Sequence, residues 1–350
     1  MVHYLLNRVG YGLLVLLLVT IVVSSIVYLS PVDPTRMTFG QRMDDVTVEL
    51  KRKQLGLDLP FHLQVVGYIK DISPFIITSS NGWKDEYRGI YTRIGPSIIG
   101  LKYPYLRESY QSGRSVIQII GQAFPNTLIL ASLSILLAII MGISLGALAA
   151  LFKGSWIDRF IIFISTFGYS VPSYVTAILL GVIFGYYLRD FTGLNIQGSF
   201  FELDDFGDDI VVFKNLLLPA IALGIRPVSI VAQLMRSSVI QVLEEKYILA
   251  ARAKGLSAYQ VIKNHVLGNA LNPVITALSG WFASLLAGAF FVEIIFNFKG
   301  LGFVTVNALL NYDIPVVLGA LLFTSTIFII INILVDLLYT WIDPRITIKA

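Results

Sequence analysis

Two stretches of the chain, Asn126 to Phe152 and Phe160 to Leu188, contain no charged residue at all. Each exceeds the roughly 20 apolar residues that a helix needs to cross a bilayer. Four further runs fit with at most one charge: Val9 to Leu29, Asn215 to Met235, Pro273 to Phe296 and Val317 to Thr340. The expectation is an all-α polytopic membrane protein with six transmembrane helices. Composition agrees, with 56% hydrophobic residues, 14% charged residues and a mean hydropathy of +0.76. A soluble domain usually carries about 25% charge. The chain has no cysteine, which excludes disulfides, thiolate metal sites and cysteine nucleophiles. His3, His62 and His265 are too far apart in sequence to suggest a metal cluster. A net charge of +4 is too weak to argue for nucleic acid.

The first apolar run is longer than the core of a secretory signal, and no small-x-small cleavage site follows it. Residues 1–29 therefore read as a retained N-terminal anchor helix. Basic residues in short loops set orientation. With the N-terminus inside, the cytoplasmic pieces hold Arg8, Lys153, Arg159, Arg236, Lys246, Arg252, Lys254, Lys263, Arg345 and Lys349. The short outer loops hold only Arg189, Lys214 and Lys299. Both termini are expected in the cytoplasm. Residues 30–122 read as an extracytoplasmic insertion; its aromatics and proline, including Trp83, Tyr87, Tyr91, Tyr103 and Pro104, suggest a folded cap. Residues 123–342 read as the transmembrane domain, with a cytoplasmic loop at 237–272 and a tail at 343–350.

That loop is the most informative segment. Gln241 to Lys254 is rich in helix formers. Gly255 can supply the left-handed residue that ends a helix. Ser257 followed by Gln260 has the spacing of a capping box, which starts the next helix. The reading is helix, tight turn, helix, with Leu256 at the turn. Ala250, Ala251 and Ala253 make a small-residue patch, ringed by Lys246, Arg252 and Lys254, that another surface could approach closely.

Here the chain resembles the permease subunits of ABC importers, in the oligopeptide/dipeptide (peptide/nickel) branch and its B-type subunit. The likeness rests on Tyr247, Ala251, Arg252, Ala253, Lys254, Gly255, Leu256 and Ser257, then His265, Leu267, Asn269, Ala270, Leu271 and Pro273. It extends to Leu55-Gly56-Leu57-Asp58 with Pro60, Ser112-Gly113-Arg114, Pro125-Asn126-Thr127-Leu128, Arg236-Ser237-Ser238, Val292-Glu293 with Gly300-Leu301-Gly302, and Asp343-Pro344-Arg345. Two features depart from the family pattern. Gly268 stands where the family often has Arg, and the segment from Ile76 to Tyr103 is longer than usual.

The resemblance implies a type I importer fold in which the "EAA" loop is a coupling loop. Glu245, Tyr247, Ala250, Ala251, Arg252, Ala253, Lys254, Gly255 and Leu256 would dock into a cytoplasmic ATPase subunit. It implies a second homologous permease subunit, two ATPase subunits that use ATP and Mg, an extracytoplasmic solute-binding protein and a peptide substrate. The chain has no G-x-x-x-x-G-K-S/T phosphate loop, so the energy would come from a partner and the chain would not itself be an enzyme. The alternatives are the same machinery with nickel or glutathione as cargo, or a membrane enzyme or secondary carrier not driven by ATP.

Other features have plainer readings. The turn spacing of Ala251 and Gly255 also fits a DNA-binding helix-turn-helix, but one tethered at both ends to membrane helices. Gly142-Ile143-Ser144-Leu145-Gly146 matches a nucleophile elbow, which needs a strand-to-helix turn. Inside an uncharged span it reads as a helix-packing face, repeated at Gly181 and Gly185. Arg226 lies about 16 Å from either end of its run, near the midplane. An ion at that depth is a candidate for the translocation path, or else a structural partner or cap near Pro227. Glu293 is placed near the outer interface, as a gate element or an ordinary interfacial glutamate. Pro172 and Pro219 are expected to kink their helices.

Overall fold

The structure, a computed structural model, describes residues 2–29, 45–79, 87–95, 97–204, 206–286 and 289–342. Trp83 and the Asp343-Pro344-Arg345 tail lie outside the described residues. The chain divides into two compact units.

The first unit takes in Met1–Ala123 and Val304–Thr326. Its chain begins with α1 (Val2–Tyr28), followed by α2 (Asp45–Gln54) and α3 (Phe61–Ile72). Strands β1 (Phe75–Ser79), β2 (Gly89–Ile94) and β3 (Ser97–Lys102) then form an antiparallel sheet in the order β1-β3-β2. This sheet, with a short hairpin in the second unit, qualifies the all-α expectation; most of the described residues are helical. Tyr68, Tyr110, Ile314, Leu318 and Leu322 form the core, with Leu16, Val23, Tyr28 and Leu106 packed on it.

A buried polar knot fastens this core. Asp71 at the end of α3 is 1% exposed. It accepts from the Tyr87 hydroxyl at 2.5 Å and from Arg107 Nε at 2.7 Å. Arg107 also donates to the Tyr28 hydroxyl at 3.1 Å, and Lys102 Nζ donates to the Asp71 carbonyl. Through its carboxylate and its backbone carbonyl, Asp71 thus ties α3 to Tyr87, to β3 and to the segment after the sheet. Burial, and then the bond to Asp71, pushes the Tyr87 phenol well above its ordinary value. Asp313 plays a similar part, accepting from Ser109 Oγ at 2.5 Å and from the Tyr110 N–H at 2.9 Å.

The second unit takes in Phe124–Phe303 and Ile327–Thr347. Helix α4 (Val116–Leu137), a widened turn at Ala138–Gly142 and α5 (Ile143–Leu151) form one long apolar helix. Ser155 caps α6 (Trp156–Ser170). Val171 then leaves helical geometry ahead of Pro172, as a residue before proline tends to do. The chain restarts as α7 (Ser173–Leu180), bent 103° from α6, and continues in a widened turn at Gly181–Tyr187. The kink expected at Pro172 is therefore a full break. After α8 (Arg189–Thr192) comes a hairpin of β4 (Phe201–Leu203) and β5 (Asp209–Val211). Helix α9 (Lys214–Leu243) runs unbroken through Pro219 and Pro227. The loop helices α10 (Lys246–Ala253) and α11 (Ala258–Val261) lead to α12 (Leu267–Leu286), α13 (Phe290–Ile295), α14 (Leu301–Leu310) and α15 (Ile314–Ile342).

Among the described residues, four helices are long and apolar enough to cross a membrane: Leu6–Tyr28, Val116–Leu151, Lys214–Leu243 and Ile314–Leu337. The α6–α7 pair makes a fifth if counted as one span. The expected run Pro273–Phe296 is shared between α12 and α13, with Ala289 outside helical geometry. Two of the six expected runs are thus divided, and the count of six rests on joining each pair.

Helix α9 is the axis of this unit, and glycines set its spacing. A Cβ on Gly142 would lie 2.6 Å from Val231 Cγ1, and one on Gly146 would lie 2.7 Å from Met235 Cβ and collide with the Ala232 carbonyl. A Cβ on Gly168 would lie 2.7 Å from Ser229 Oγ. Missing side chains let helices approach closely, which is how membrane helices gain contact. Gly142 and Gly146 are accordingly a packing face, not a nucleophile elbow.

Three outcomes are expected. Asp71→Asn leaves Arg107 buried without its counter-ion and costs about 3 kcal/mol, read as faster proteolysis of the 45–110 segment. Because the Tyr87 phenol is raised in the fold, stability is intact below about pH 10, the free tyrosine value, and falls as pH climbs above it. Tyr87→Phe weakens that dependence in a pH series of melting curves. Gly146→Ala costs about 1–3 kcal/mol through overpacking, whereas Gly121→Ala, at a site with open space for a Cβ, leaves the melting temperature of the purified protein unchanged or raised.

Candidate functional site

The loop beyond α9 has the form its sequence implies. Glu244 and Glu245 separate α9 from α10, and both are exposed. Gly255 ends α10 with φ +81°, where a Cβ-bearing residue is strained. The Ser257–Gln260 capping box is present in both directions: Gln260 N–H donates to Ser257 Oγ at 3.4 Å and Ser257 N–H donates to Gln260 Oε1 at 3.0 Å. Asn269 Nδ2 donates to the Tyr247 hydroxyl at 3.0 Å, tying α10 to α12.

The loop has two faces. Ile248 and Ala251, three residues apart, turn inward and pack with Val239, Val261, Val266 and Ala270. Ala251 is 7% exposed. This corrects its assignment to the approachable patch: the i, i+3 spacing with Ile248 puts it on the buried side. The outward face carries Glu245, Tyr247, Ala250, Arg252, Ala253, Lys254 and Gly255, all exposed, with Leu256 half-buried at the turn. Gly268 faces open space.

A pairing 78 residues apart supports the base of this loop. Arg236 near the end of α9 donates from Nε to Asp158 Oδ1 at 2.5 Å and from Nη2 to Oδ2 at 2.7 Å. The Asp158 side chain is 4% exposed and also accepts from the Gly154 N–H at 2.8 Å. Such a two-pronged guanidinium–carboxylate pair fixes geometry as well as energy. It clamps the turn between α5 and α6 onto α9. In sequence, Arg236 stands out as a cytoplasmic cation and as part of the Arg236-Ser237-Ser238 motif, neither of which names Asp158 as its partner. The available signal was Ser155-x-x-Asp158, a capping spacing that marks Asp158 as structurally placed. Beside it, Lys153 and Glu244 pair at 3.3 Å, but both are exposed and contribute little.

Glu293 is enclosed within the second unit. It is 0% exposed. It accepts from Thr127 Oγ1 at 2.8 Å and from the Phe303 N–H at 2.9 Å, while the Leu301 N–H donates to Thr127 Oγ1 at 2.7 Å. Its carboxylate caps the first turn of α14, where a helix N-terminus favours an anion. A Cβ on Gly300 would lie 2.6 Å from Glu293 Oε2, which explains a glycine there. Asn126 Nδ2 reaches the Lys299 carbonyl at 3.0 Å. Three separate motif fragments, Asn126-Thr127, Glu293 and Gly300-Leu301-Gly302, thus form one brace.

Arg226 sits in α9 with its Cζ 5.4 Å from the ring centroid of Tyr169 on α6 and 5.7 Å from that of Trp281 on α12. Its Nε is buried and has no hydrogen-bond partner. Neither loop face nor brace lies among its partners.

Comparison with known proteins places this geometry. The family model described as "Binding-protein-dependent transport system inner membrane component" matches residues 142–348, and its N-terminal companion matches residues 1–82. The chain is 32% identical to a probable D,D-dipeptide transport system permease protein, DdpB, of Escherichia coli, covering 98% of this chain and 97% of that one. It is 33% identical to a putative peptide transport system permease protein of Brucella abortus, with 99% of each covered. It is also 33% identical to the glutathione transport system permease protein GsiC of Salmonella typhimurium, over the full length of both. Among solved structures, a chain of the inward-facing MetNI methionine ABC transporter superposes with a TM-score of 0.53 at 15% identity, over 65% of this chain and 97% of that chain, a likeness of fold. The chain is an integral inner-membrane permease subunit and belongs to the family of binding-protein-dependent transport system inner membrane components.

Proposed function

We propose that the chain is one of two permease subunits of an ATP-driven peptide importer, and that a cytoplasmic ATPase subunit grips the turn between Lys246 and Ser257. One observation carries the coupling role: the loop is built with a buried inner face and a small, open outer face. Ile248 and Ala251 root α10 in the protein, while Ala250, Ala253 and Gly255 leave its outer backbone uncovered. A contact that transmits force needs both, a rigid root and close backbone approach.

In this reading both termini are cytoplasmic and residues 30–122 face outward. A second homologous permease completes the pathway, two ATPase subunits supply energy from ATP and Mg, and an extracytoplasmic binding protein delivers cargo. Arg226 borders the path. Glu293 acts as a positioning residue that holds the 299–303 turn rather than as a group the cargo touches. The peptide cargo is supported by the relatives named for peptide and dipeptide transport. A relative named for glutathione makes uptake of labelled glutathione the comparison to run beside a labelled dipeptide.

The two faces of α10 predict different failures. Ala250→Glu lowers dipeptide uptake by tenfold or more while the amount of protein in the membrane stays normal. Ala251→Glu buries an unpaired charge, at a cost of several kcal/mol, and depletes the protein itself. Uptake and immunoblots of membranes, in a deletion strain expressing the whole transporter, separate the two. Normal uptake with Ala250→Glu, or uptake that survives loss of the ATPase phosphate-loop lysine, would overturn the coupling proposal.

A further inference from the structure

Arg226 is a charge within an apolar run of the second unit that its surroundings do not answer. Among the described residues it makes no hydrogen bond and no ion pair within 4.0 Å. A guanidinium has five N–H donors in a fixed fork. A buried donor left without an acceptor is costly, and a charge at membrane depth more so. The contrast with Arg236 is direct: the same side chain, on the same helix, has both prongs on Asp158.

The neighbours of Arg226 hold it without satisfying it. The rings of Tyr169 and Trp281 flank the cation at 5.4 and 5.7 Å. Aromatic faces stabilise a cation electrostatically, but they offer no oxygen to the N–H fork. Three helices, α6, α9 and α12, therefore position a guanidinium and leave its donors for something else.

A second observation falls at the same place. Tyr169 lies two residues before the break at Val171, where α6 ends and the chain turns by 103° into α7. Non-helical backbone at membrane depth is tolerated where it is buried in protein or lines a water-filled cavity. Broken helices of this kind mark substrate sites in other transporters. Tyr169 is 44% exposed, so the site has an open side.

We propose that Arg226, Tyr169 and Trp281 form a subsite for a carboxylate, and that in transport the carboxylate is the C-terminal one of the peptide cargo. This rests on the peptide-importer reading above. The shape of the donor fork matches a carboxylate in two-pronged fashion, which an ammonium does not reproduce. The aromatic walls accommodate the apolar remainder of a short peptide. The same chemistry could come from an acidic side chain of the second permease subunit, and the test separates the two sources.

The experiment uses the complete transporter with its binding protein, in a deletion strain. Uptake of a labelled tripeptide with a free C-terminus is compared with its C-terminal amide, for the wild type, Arg226→Gln and Arg226→Lys. The binding protein is common to all three, so its own preference cancels in the ratio of acid to amide. The expected result is that Arg226→Gln lowers uptake of the acid by about tenfold or more, the worth of one charge-assisted contact, and leaves the amide unchanged. Arg226→Lys keeps part of the preference. Equal loss of acid and amide in both variants would assign Arg226 to a partner carboxylate or to structure, and uptake of both forms unchanged from the wild type would remove it from recognition altogether; either result overturns the subsite. If the wild type imports neither form, the peptide reading falls first, and that outcome is recognisable without any variant.

Discussion

The close seat of α9 against its neighbours is the constraint on which the second unit depends. Between membrane helices, lipid is as apolar as leucine, so burial alone does not hold helices together. Contact has to come from fit. Gly142, Gly146 and Gly168 supply it by removing the side chains that would hold α9 at a distance. The loop helix α10 starts only two residues after α9 ends. Its inner face packs into the same apolar cluster that contains Val231, Met235 and Val239 of α9. A push or pull on the loop therefore acts on a helix that is already locked, through glycines, to α5 and α6. The Asp158–Arg236 pair adds a second fastening where α9 emerges. In the proposed coupling role, rigid seating and force transmission would be one arrangement seen from two ends.

The features legible in the sequence were those fixed by near neighbours. Apolar length alone located the long helices, because a helix in hydrocarbon is limited by thickness. Gly255 and the Ser257–Gln260 box could be read because a left-handed residue and a reciprocal cap lie within six consecutive residues. Pro172 signalled a disturbance, but the size of the 103° bend depends on what α6 and α7 pack against. Asp158 and Arg236, 78 residues apart, left only a capping pattern as a clue. Thr127 and Glu293 are separated by 166 positions, so the brace could not be seen until the fold joined them. Ala251 is a different case. Its spacing from Ile248 was visible, but its small size suggested an open docking surface when it served interior packing.

Arg226 and Glu293 are charges within apolar runs of the second unit, and the fold treats these two in opposite ways. Glu293 is fully buried, yet hydroxyl and backbone N–H donors meet its carboxylate and two glycines make room for it. A buried polar group with its partners in place stabilises one arrangement of the chain. Its place in a motif is thus accounted for by the contacts it makes within its own chain. Arg226 has aromatic company and no acceptor. Arg226 near the midplane and Glu293 near the outer interface were both candidates for function, and their positions along the helices do not tell which one is. Satisfaction does: a charge whose bonds are all made by its own chain has finished its work at folding, whereas a charge held in position with its donors unmet retains binding capacity for a group that arrives later.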